Sequence, residues 1–513
     1  MTATRVSRPL RRVAIRVDAS PQIGTGHFMR CLALADAIRR RGGEIEFISR
    51  HMPEHLRRAL TAHRHGFHPL GHARAGECAG GEYSKWLGTT EKADADETLA
   101  RLTERKPDLL IVDHYALGSQ WEAAVRSSVG RVLVIDDLAN RAHECDFLLD
   151  QNVCDGADER YRGKVPGGCQ LLLGPRYALL RGRFRTLRER VGERHGPIRR
   201  VLVFLGGVDS GNYTGMAIKA LSSVAGSDLA ADIVIGELHP GRREIEAACL
   251  AAGYACHIQT DRMAELMAAA DLAIGSGGSA TWERCCLGLP TVTLCVADNQ
   301  RRLVEEAALC GLVYATQVGP EDAATLARHL QSLMENPLLL RAMSRNGLRM
   351  VDGRGRERVV RALGYSDVRV RDATPADSAN ILSWRNEPDV RLVSIDSRAI
   401  DQATHDAWFA SVMADPDRML LVGERGQRQV GVVRFDVRED EARVSIFLAP
   451  GLAGTGIGSD LLAAGEEGLA ERRRNVKVVL ADVKGGNLAS RKLFEAAGYE
   501  LRSALYVKRL RTP

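Results

Sequence analysis

The sequence predicts an α/β protein in which two doubly wound, Rossmann-like parallel-sheet sub-domains are followed by a smaller α+β domain. Three observations carry this. From Val13 to about Arg190, short apolar runs alternate with amphipathic helical segments, the pattern of βαβ units and a parallel sheet. The same alternation restarts after the polar stretch 190–197. Beyond a segment at 352–367 rich in glycine and charge, it gives way to a helix, a hairpin and a longer alternating strand. A chain of 513 residues is too long for one hydrophobic core, and domains are expected at 12–190, 197–362 and 367–511. No fixed-period repeat is present.

In the first sub-domain strands are expected at 13–17, 45–49, 109–113, 131–136 and 147–149. The first ends at Asp18 and leads into Ile23-Gly24-Thr25-Gly26-His27-Phe28-Met29-Arg30, where Phe28, Leu32, Ala35 and Ile38 share a helical face. This stretch is a strand-to-helix turn. Gly24 and Gly26 let the backbone approach a ligand closely, and the helix start offers N–H groups to an anion. His27 and Arg30 stand at the mouth of the turn; an ordinary turn with a surface histidine is the alternative. Other strand ends carry Asp113-His114-Tyr115, Asp136-Asp137 and Asp150-Gln151-Asn152. Each alone suits a strand stop or helix cap. Their recurrence at the edge where open parallel sheets bind ligands points to a shared cleft that includes Tyr115 and Asn152.

In the second sub-domain a strand at 200–205 runs into Gly206-Gly207. A strand at 233–235, a helix at 263–269 and a strand at 272–274 follow, ending in Gly275-Ser276-Gly277-Gly278-Ser279. Glu283 lies on the next helix, and the strand at 291–294 leads to Asp298-Asn299-Gln300. Two glycine-rich turns and a nearby carboxylate suit a nucleotide, with backbone N–H groups on the diphosphate and Glu283 on ribose hydroxyls. A solvated helix position is the alternative for Glu283. Neither turn has Walker A spacing, and Met29 occupies the place of the third glycine of a dinucleotide fingerprint.

In the last segment Thr374-Pro375 opens a helix, 419–422 and 430–435 form a hairpin, and Ala442, Val444, Ile446 and Leu448 alternate along a strand. That strand leads to Gly454-Thr455-Gly456-Ile457-Gly458 and a helix. A strand at 476–483 and then Asn487 through Ser490 follow.

Composition excludes several classes. A net charge of +6 with 5% aromatic residues gives no basic stripe with interleaved aromatics, so nucleic-acid binding is not expected. No run of roughly 18 apolar residues predicts a membrane span. The arginine-rich first residues lack the apolar core of a secretory signal, so an N-terminal extension and a cytoplasmic location are expected. The 11 cysteines all lie before residue 311 and none forms Cys-x-x-Cys, which fits reduced thiols better than a zinc or disulfide framework. No metal site is expected, and oligomeric state is not legible.

The run from Asp18 through Leu32, the Asp113-His114-Tyr115 and Asp150-Gln151-Asn152 segments, Leu173 through Arg181, and Gly275 through Glu283 resemble the UDP-sugar hydrolase of pseudaminic acid biosynthesis. The resemblance implies a GT-B fold and metal-independent hydrolysis of UDP-2,4-diacetamido-2,4,6-trideoxy-β-L-altropyranose to free sugar and UDP. His27 would be the catalytic histidine, and Glu283 with Ser276, Gly277, Gly278 and Ser279 the nucleotide site. An imidazole with an ordinary pKa near ~6.5 can take a proton from water at neutral pH. UDP leaves readily once its diphosphate is met by donors and positive charge. Direct attack by one water would invert the anomeric centre. Asp18 is expected to orient His27 or to bind a sugar hydroxyl, with strand-end capping as the alternative. Two other classes stay open: a GT-B glycosyltransferase with an accessory acyltransferase, and a nucleotide-sugar-binding scaffold with an inactive acyltransferase module.

The segment from about 367 is similar to the GNAT N-acetyltransferases. That resemblance implies acetyl-CoA, with its pyrophosphate on Gly454, Gly456 and Gly458, and a second motif at Asn487 and Ser490. Ala453 stands where the pattern has Arg or Gln, and Phe494 where many members have a tyrosine acid, leaving Tyr506 or water as proton donor. Trp384-Arg385-Asn386 and His405 through Trp408 are placed at the acceptor site, with core packing of the tryptophans as the alternative. The two motif sets together predict acetylation of a UDP-linked 4-amino sugar followed by release of UDP.

Overall fold

The computed structural model describes residues 11–71, 83–102, 106–224, 229–237, 239–365, 368–473 and 475–502. The chain divides into two compact units, Met1–Gly364 and Tyr365–Pro513.

The first unit holds two parallel sheets. In one, strands β1 (Arg12–Val17), β2 (Glu44–Ser49), β3 (Gly66–Pro69), β4 (Leu109–Asp113), β5 (Arg131–Ile135), β6 (Phe147–Asp150) and β7 (Gln170–Leu173) lie in the order β3-β2-β1-β4-β5-β6-β7. In the other, β8 (Arg200–Phe204), β9 (Ala230–Ile235), β10 (Ala255–Ile258), β11 (Leu272–Ser276), β12 (Thr291–Leu294) and β13 (Tyr314–Thr316) lie in the order β10-β9-β8-β11-β12-β13. Every pairing in both is parallel. Strand order reverses beside β1 and beside β8, so each sheet has a crevice at the carboxyl ends of its central strands. These are the two Rossmann-like halves of a GT-B fold. Central strands such as β4 are buried along their whole length, because helices cover both faces of a parallel sheet.

Three helices of this unit matter for the site: α1 (Gly26–Arg39), α2 (Tyr213–Ser223) and α3 (Ala280–Cys286). Helix α1 buries Phe28, Cys31, Leu32, Leu34, Ala35 and Ile38. Helix α2 is capped by Asn212, whose side chain accepts from the Gly215 N–H at 3.1 Å. Trp282 of α3 is 0% exposed and packs in a cluster with Phe184 and Met267.

The second unit is built on a mixed sheet of β14 (Val368–Asp372), β15 (Arg418–Arg425), β16 (Arg428–Arg438), β17 (Glu441–Leu448) and β18 (Val478–Ala481), in that order. The first three pairings are antiparallel and the last is parallel. Helix α4 (Ile457–Arg472) follows the glycine turn, and α5 (Leu488–Ala496) follows β18. Leu461, Leu462 and Leu469 of α4 join Leu421, Val433 and Phe435 of the sheet in one core.

The strands that sequence reasoning passes over are β3, β7, β10, β13 and β14, and each is a sheet edge. An edge strand pairs on one side only and tolerates residues such as His68, Gln170, His257 and Arg369, which blur the apolar signal. The helix expected from Thr374 opens instead with a 3-10 turn, Pro375–Asp377, in which Asp377 accepts from the Thr374 N–H at 2.7 Å.

Candidate functional site

The turn after β1 places His27 on the first turn of α1, 9% exposed. Its Nδ1 meets Asp113 Oδ1 at 2.5 Å, at the carboxyl end of the neighbouring strand β4. Arg30, one turn along α1, grips the same carboxylate through Nε (2.6 Å) and Nη2 (2.7 Å), and reaches Asp137 through Nη1 (2.9 Å). Burial would raise the Asp113 pKa, but the charge of Arg30 and the hydrogen bonds from Arg30 and His27 hold it below the ordinary carboxylate range. An ionised Asp113 beside Nδ1 selects the tautomer with the proton on Nδ1. Nε2 is then the lone-pair nitrogen, as a proton acceptor requires. Tyr115 packs its ring edge-on to His27 at 4.6 Å and donates its hydroxyl to Asp137 at 2.5 Å. Trp86 lies 6.4 Å from His27 and stacks on Tyr115, so one side of the imidazole faces an aromatic wall.

Asp18 takes no part in this constellation, a correction to its expected role beside His27. It is 0% exposed, and its carboxylate accepts from Arg16 Nη1 (2.7 Å) and Nη2 (3.0 Å), Ser49 Oγ (2.8 Å) and the N–H of Arg50 (2.8 Å). Residues two apart on extended chain share a face, so Arg16 claims the carboxylate locally. Asp113 is the acid that meets His27. It stood in the sequence as one strand-end acid among several, and only the lie of α1 across β1 and β4 singles it out. Trp86 carried no local signal.

The two halves meet at this point. A side chain added at Gly26 would come within 3.2 Å of Ser279 Oγ, so the first glycine turn faces the second. Asn152 accepts a hydrogen bond from Trp282 Nε1 at 3.1 Å across the same junction. Gly24 adopts φ +78 and donates to Ser20 O at 2.7 Å. In the second half Gly206, with φ +108, and Gly207 end β8 beside β11, and the Gly207 carbonyl accepts from the Gly236 N–H at 3.0 Å.

The turn Gly275–Ser279 is less open than a phosphate cradle read from sequence. The Gly277 N–H already donates to Gln300 Oε1 at 3.1 Å, and a Cβ there would lie 2.2 Å from Val304 Cγ2. Only Gly278 of its glycines has open space at its Cβ position. Glu283 lies 3.8 Å from Arg181, and burial raises its carboxyl pKa against the pull of Arg181 and Arg284. Asn299 is exposed on the 3-10 turn Asp298–Gln300.

In the second unit Gly454 and Gly456 both take left-handed angles, φ +71 and +90, and Gly456 caps α4 with no side-chain cap bond. Gly458 lies inside α4. Strand β17 pairs with β18 only as far as Val444 and continues to Leu448, so the two strands part next to this turn. Asn487 caps α5, accepting from the Ser490 N–H at 3.0 Å, and donates to the Val393 carbonyl at 3.2 Å. Both polar ends of that side chain are thus engaged within the fold. Phe494 is 7% exposed and packs on Tyr499. Arg385 and Asn386 bond backbone atoms of Asp396 and Ile400, and Trp384 and Trp408 pack on a core cluster around Phe409. Tyr506 lies outside the described residues. No helix among the described residues is long and apolar enough to cross a membrane.

Fold and site together define a two-part protein: a GT-B unit whose halves face each other at two glycine turns, followed by a GNAT domain. Residues 367–500 match the family model described as an acetyltransferase (GNAT) domain, which implies acetyl-CoA as cofactor. The chain is 22% identical over 511 residues to the uncharacterized protein MJ1062 of Methanocaldococcus jannaschii, covering 95% of this chain and 96% of that one. It is 27% identical over 275 residues to the spore coat polysaccharide biosynthesis protein SpsG of Bacillus subtilis, covering 52% of this chain and 78% of that one. A stretch of 89 residues is 36% identical to the UDP-2,4-diacetamido-2,4,6-trideoxy-beta-L-altropyranose hydrolase of Campylobacter jejuni, covering 17% of this chain and 32% of that one. The chain thus joins a segment similar to that hydrolase to a GNAT domain.

Proposed function

We propose that the protein is a bifunctional nucleotide-sugar enzyme. Its GT-B unit hydrolyses UDP-2,4-diacetamido-2,4,6-trideoxy-β-L-altropyranose, and its GNAT domain uses acetyl-CoA to acetylate a UDP-linked 4-amino sugar. The observation that carries the first activity is His27, held through Nδ1 by Asp113 and placed where the first glycine turn faces Ser279. In the proposed step a water oxygen bonds to the anomeric carbon while its proton passes to His27 Nε2. The bond from that carbon to the phosphate oxygen breaks, and UDP departs with the electron pair. Attack from the face opposite UDP inverts the centre. No carboxylic acid is needed to protonate so good a leaving group, unlike in ordinary glycosidases. Arg30 keeps Asp113 ionised, and Tyr115 with Trp86 offers an apolar wall to the sugar. Asn152, Gly24, Gly206, Gly207, Glu283 and Asn299 are assigned to the surrounding substrate surface.

In the GNAT domain the turn at Gly454 and Gly456, with Gly458 in the first turn of α4, would hold the cofactor's pyrophosphate through backbone N–H groups. The open edge of β17 beyond Val444 suits its extended amide arm. Asn487 and Ser490 shape the site by fixing the start of α5.

Incubating wild-type and His27→Ala protein with the diacetamido UDP-sugar tests the first half; undiminished UDP release by the variant would overturn it. UDP release that requires an added alcohol would favour glycosyl transfer instead. For the second half, free thiol is followed with acetyl-CoA and a panel of UDP-amino sugars. Neither binding nor turnover would reduce the domain to an inactive module.

A further inference from the structure

Arg284 is a buried cation with no ion-paired carboxylate among the described residues. It is 2% exposed, its Nη2 donates to the Ser276 carbonyl (2.7 Å) and Thr281 Oγ1 (3.1 Å), and its Nε and Nη1 are buried with no partner. No carboxylate lies within ion-pair distance of it among the described residues; the adjacent Glu283 faces Arg181 instead. The equally buried Arg16 and Arg30 each hold two carboxylates. Burial pulls the Arg284 pKa down to about 10. An uncompensated charge in the interior is costly, and arginine does not escape the cost by losing its proton at neutral pH.

Its position is specific. A Cβ at Gly275 would lie 2.4 Å from Arg284 Nη1 and 2.8 Å from Cζ, so the guanidinium occupies space that only a glycine at 275 leaves free. From there it draws the Ser276 carbonyl inward. In a trans peptide the N–H points opposite to the carbonyl, so the Gly277 N–H points away from Arg284, where Gln300 Oε1 now accepts it. The turn therefore carries an acceptor position on its outer side and an unpaired positive charge on its inner side. A neutral amide oxygen fills that position; an anionic oxygen would also balance the charge beneath.

We propose that Arg284 is a positioning residue for a nucleoside diphosphate, whose phosphate oxygen takes the acceptor position on the Gly277 N–H while Arg284 neutralises it from below the turn. The inference rests on the UDP-sugar reading and adds the source of the positive charge to it. Arg284 acts through the backbone and does not touch the ligand.

The test is calorimetric titration of the full chain with UDP and with uridine, for wild type, Arg284→Met and Arg284→Lys. Arg284→Met should lose about tenfold or more in UDP affinity and keep its uridine affinity, while Arg284→Lys, which retains the charge, keeps most of the preference for UDP. The melting temperature of ligand-free Arg284→Met should not fall, because an uncompensated buried charge has been removed, whereas its stabilisation by UDP should shrink. Equal loss for UDP and uridine, unchanged UDP affinity in a folded Arg284→Met protein, or a lysine variant as poor as the methionine one would overturn the proposal. Wild type that binds no UDP would overturn the underlying reading as well, and is distinguishable from all of these.

Discussion

The carboxyl edges of the two Rossmann-like sheets are built on opposite electrostatic plans. On the first sheet each strand-end acid has an arginine: Asp18 with Arg16 (2.7 Å), Asp113 with Arg30 (2.6 Å), Asp136 with Arg141 (2.8 Å) and Asp150 with Arg160 (2.8 Å). Even there the balance is incomplete at Asp150, whose carboxyl is pushed up to about 7 by burial and the nearby Asp137 charge. On the second sheet the turn after β11 is glycine and serine over Arg284, which has no carboxylate at ion-pair distance among the described residues, and the acid after β8, Asp209, is met by His239 (3.6 Å) rather than by an arginine. Paired charges hold one another rigidly and leave little net field, which suits a histidine that must keep one tautomer and one orientation. An unpaired cation under a polar turn leaves a field that an anion can satisfy. On the proposed reading this difference divides the labour: proton acceptance on the first half, diphosphate on the second.

The largest expected effect tests the first side of this division. Replacing His27 by Ala should lower UDP release by about 10³-fold, within the range of general-base removal, with UDP affinity retained in a titration. A parallel loss of UDP binding would place the nucleotide on the wrong half. The next concerns the paired charges. His143 is fully buried between Glu122 (2.8 Å) and Asp136 (3.8 Å). Burial disfavours its charge, but the Asp136 carboxylate facing Nε2 and the hydrogen bond from Nδ1 to Glu122 raise its pKa from 6.5 to about 9. A folded-state pKa above the unfolded one means stability fully present below pH 6.5 and lost as pH rises through about 9, in total about 3 kcal/mol. Melting curves across that window should fall for wild type and flatten for His143→Gln.

A smaller kinetic effect is expected at Asp113. Asp113→Asn removes the partner that selects the Nδ1–H tautomer, and kcat should fall by about 30-fold with little change in KM. Because the folded-state pKa of Asp113 is depressed, its contribution to stability is present above the unfolded value of 3.8 and lost as pH falls toward the folded one. The variant's melting temperature should therefore be less sensitive to acid. The smallest effect falls on the junction between the halves. Trp282→Phe deletes the hydrogen bond to Asn152 and should cost about 1 kcal/mol, read as a several-fold rise in KM at constant kcat. A change in kcat instead would mean that the junction sets the position of His27.

The glycine turns, the central strands and the break near residue 365 were legible because each has a local signature: apolar alternation, a glycine after a strand, a change of period. The stretch 23–30 could be marked as a candidate site from its glycines, its histidine and its place after a strand, with an ordinary turn as the alternative. The identity of its acid could not. Asp18 and Asp113 are both aspartates at ends of adjacent strands, and the choice between them depends on which one Arg16 neutralises. The edge strands escaped for the reason that makes them edges, their half-paired and partly polar character. Arg284 was invisible as anything but an arginine in a helix, since its meaning lies in having no carboxylate at ion-pair distance among the described residues.

By itself the sequence determined the alternation of strands and helices, the placement of glycine at the two turns, and the presence of a histidine at the first. Those properties are set by residues within a few positions of one another, where steric limits and periodic burial act along the chain. Only the tertiary structure decided which charges cancel. His27 and Asp113 are 86 residues apart in sequence and 2.5 Å apart in space. An ionic interaction depends on distance and on exclusion of water, and both are properties of the folded neighbourhood rather than of the chain.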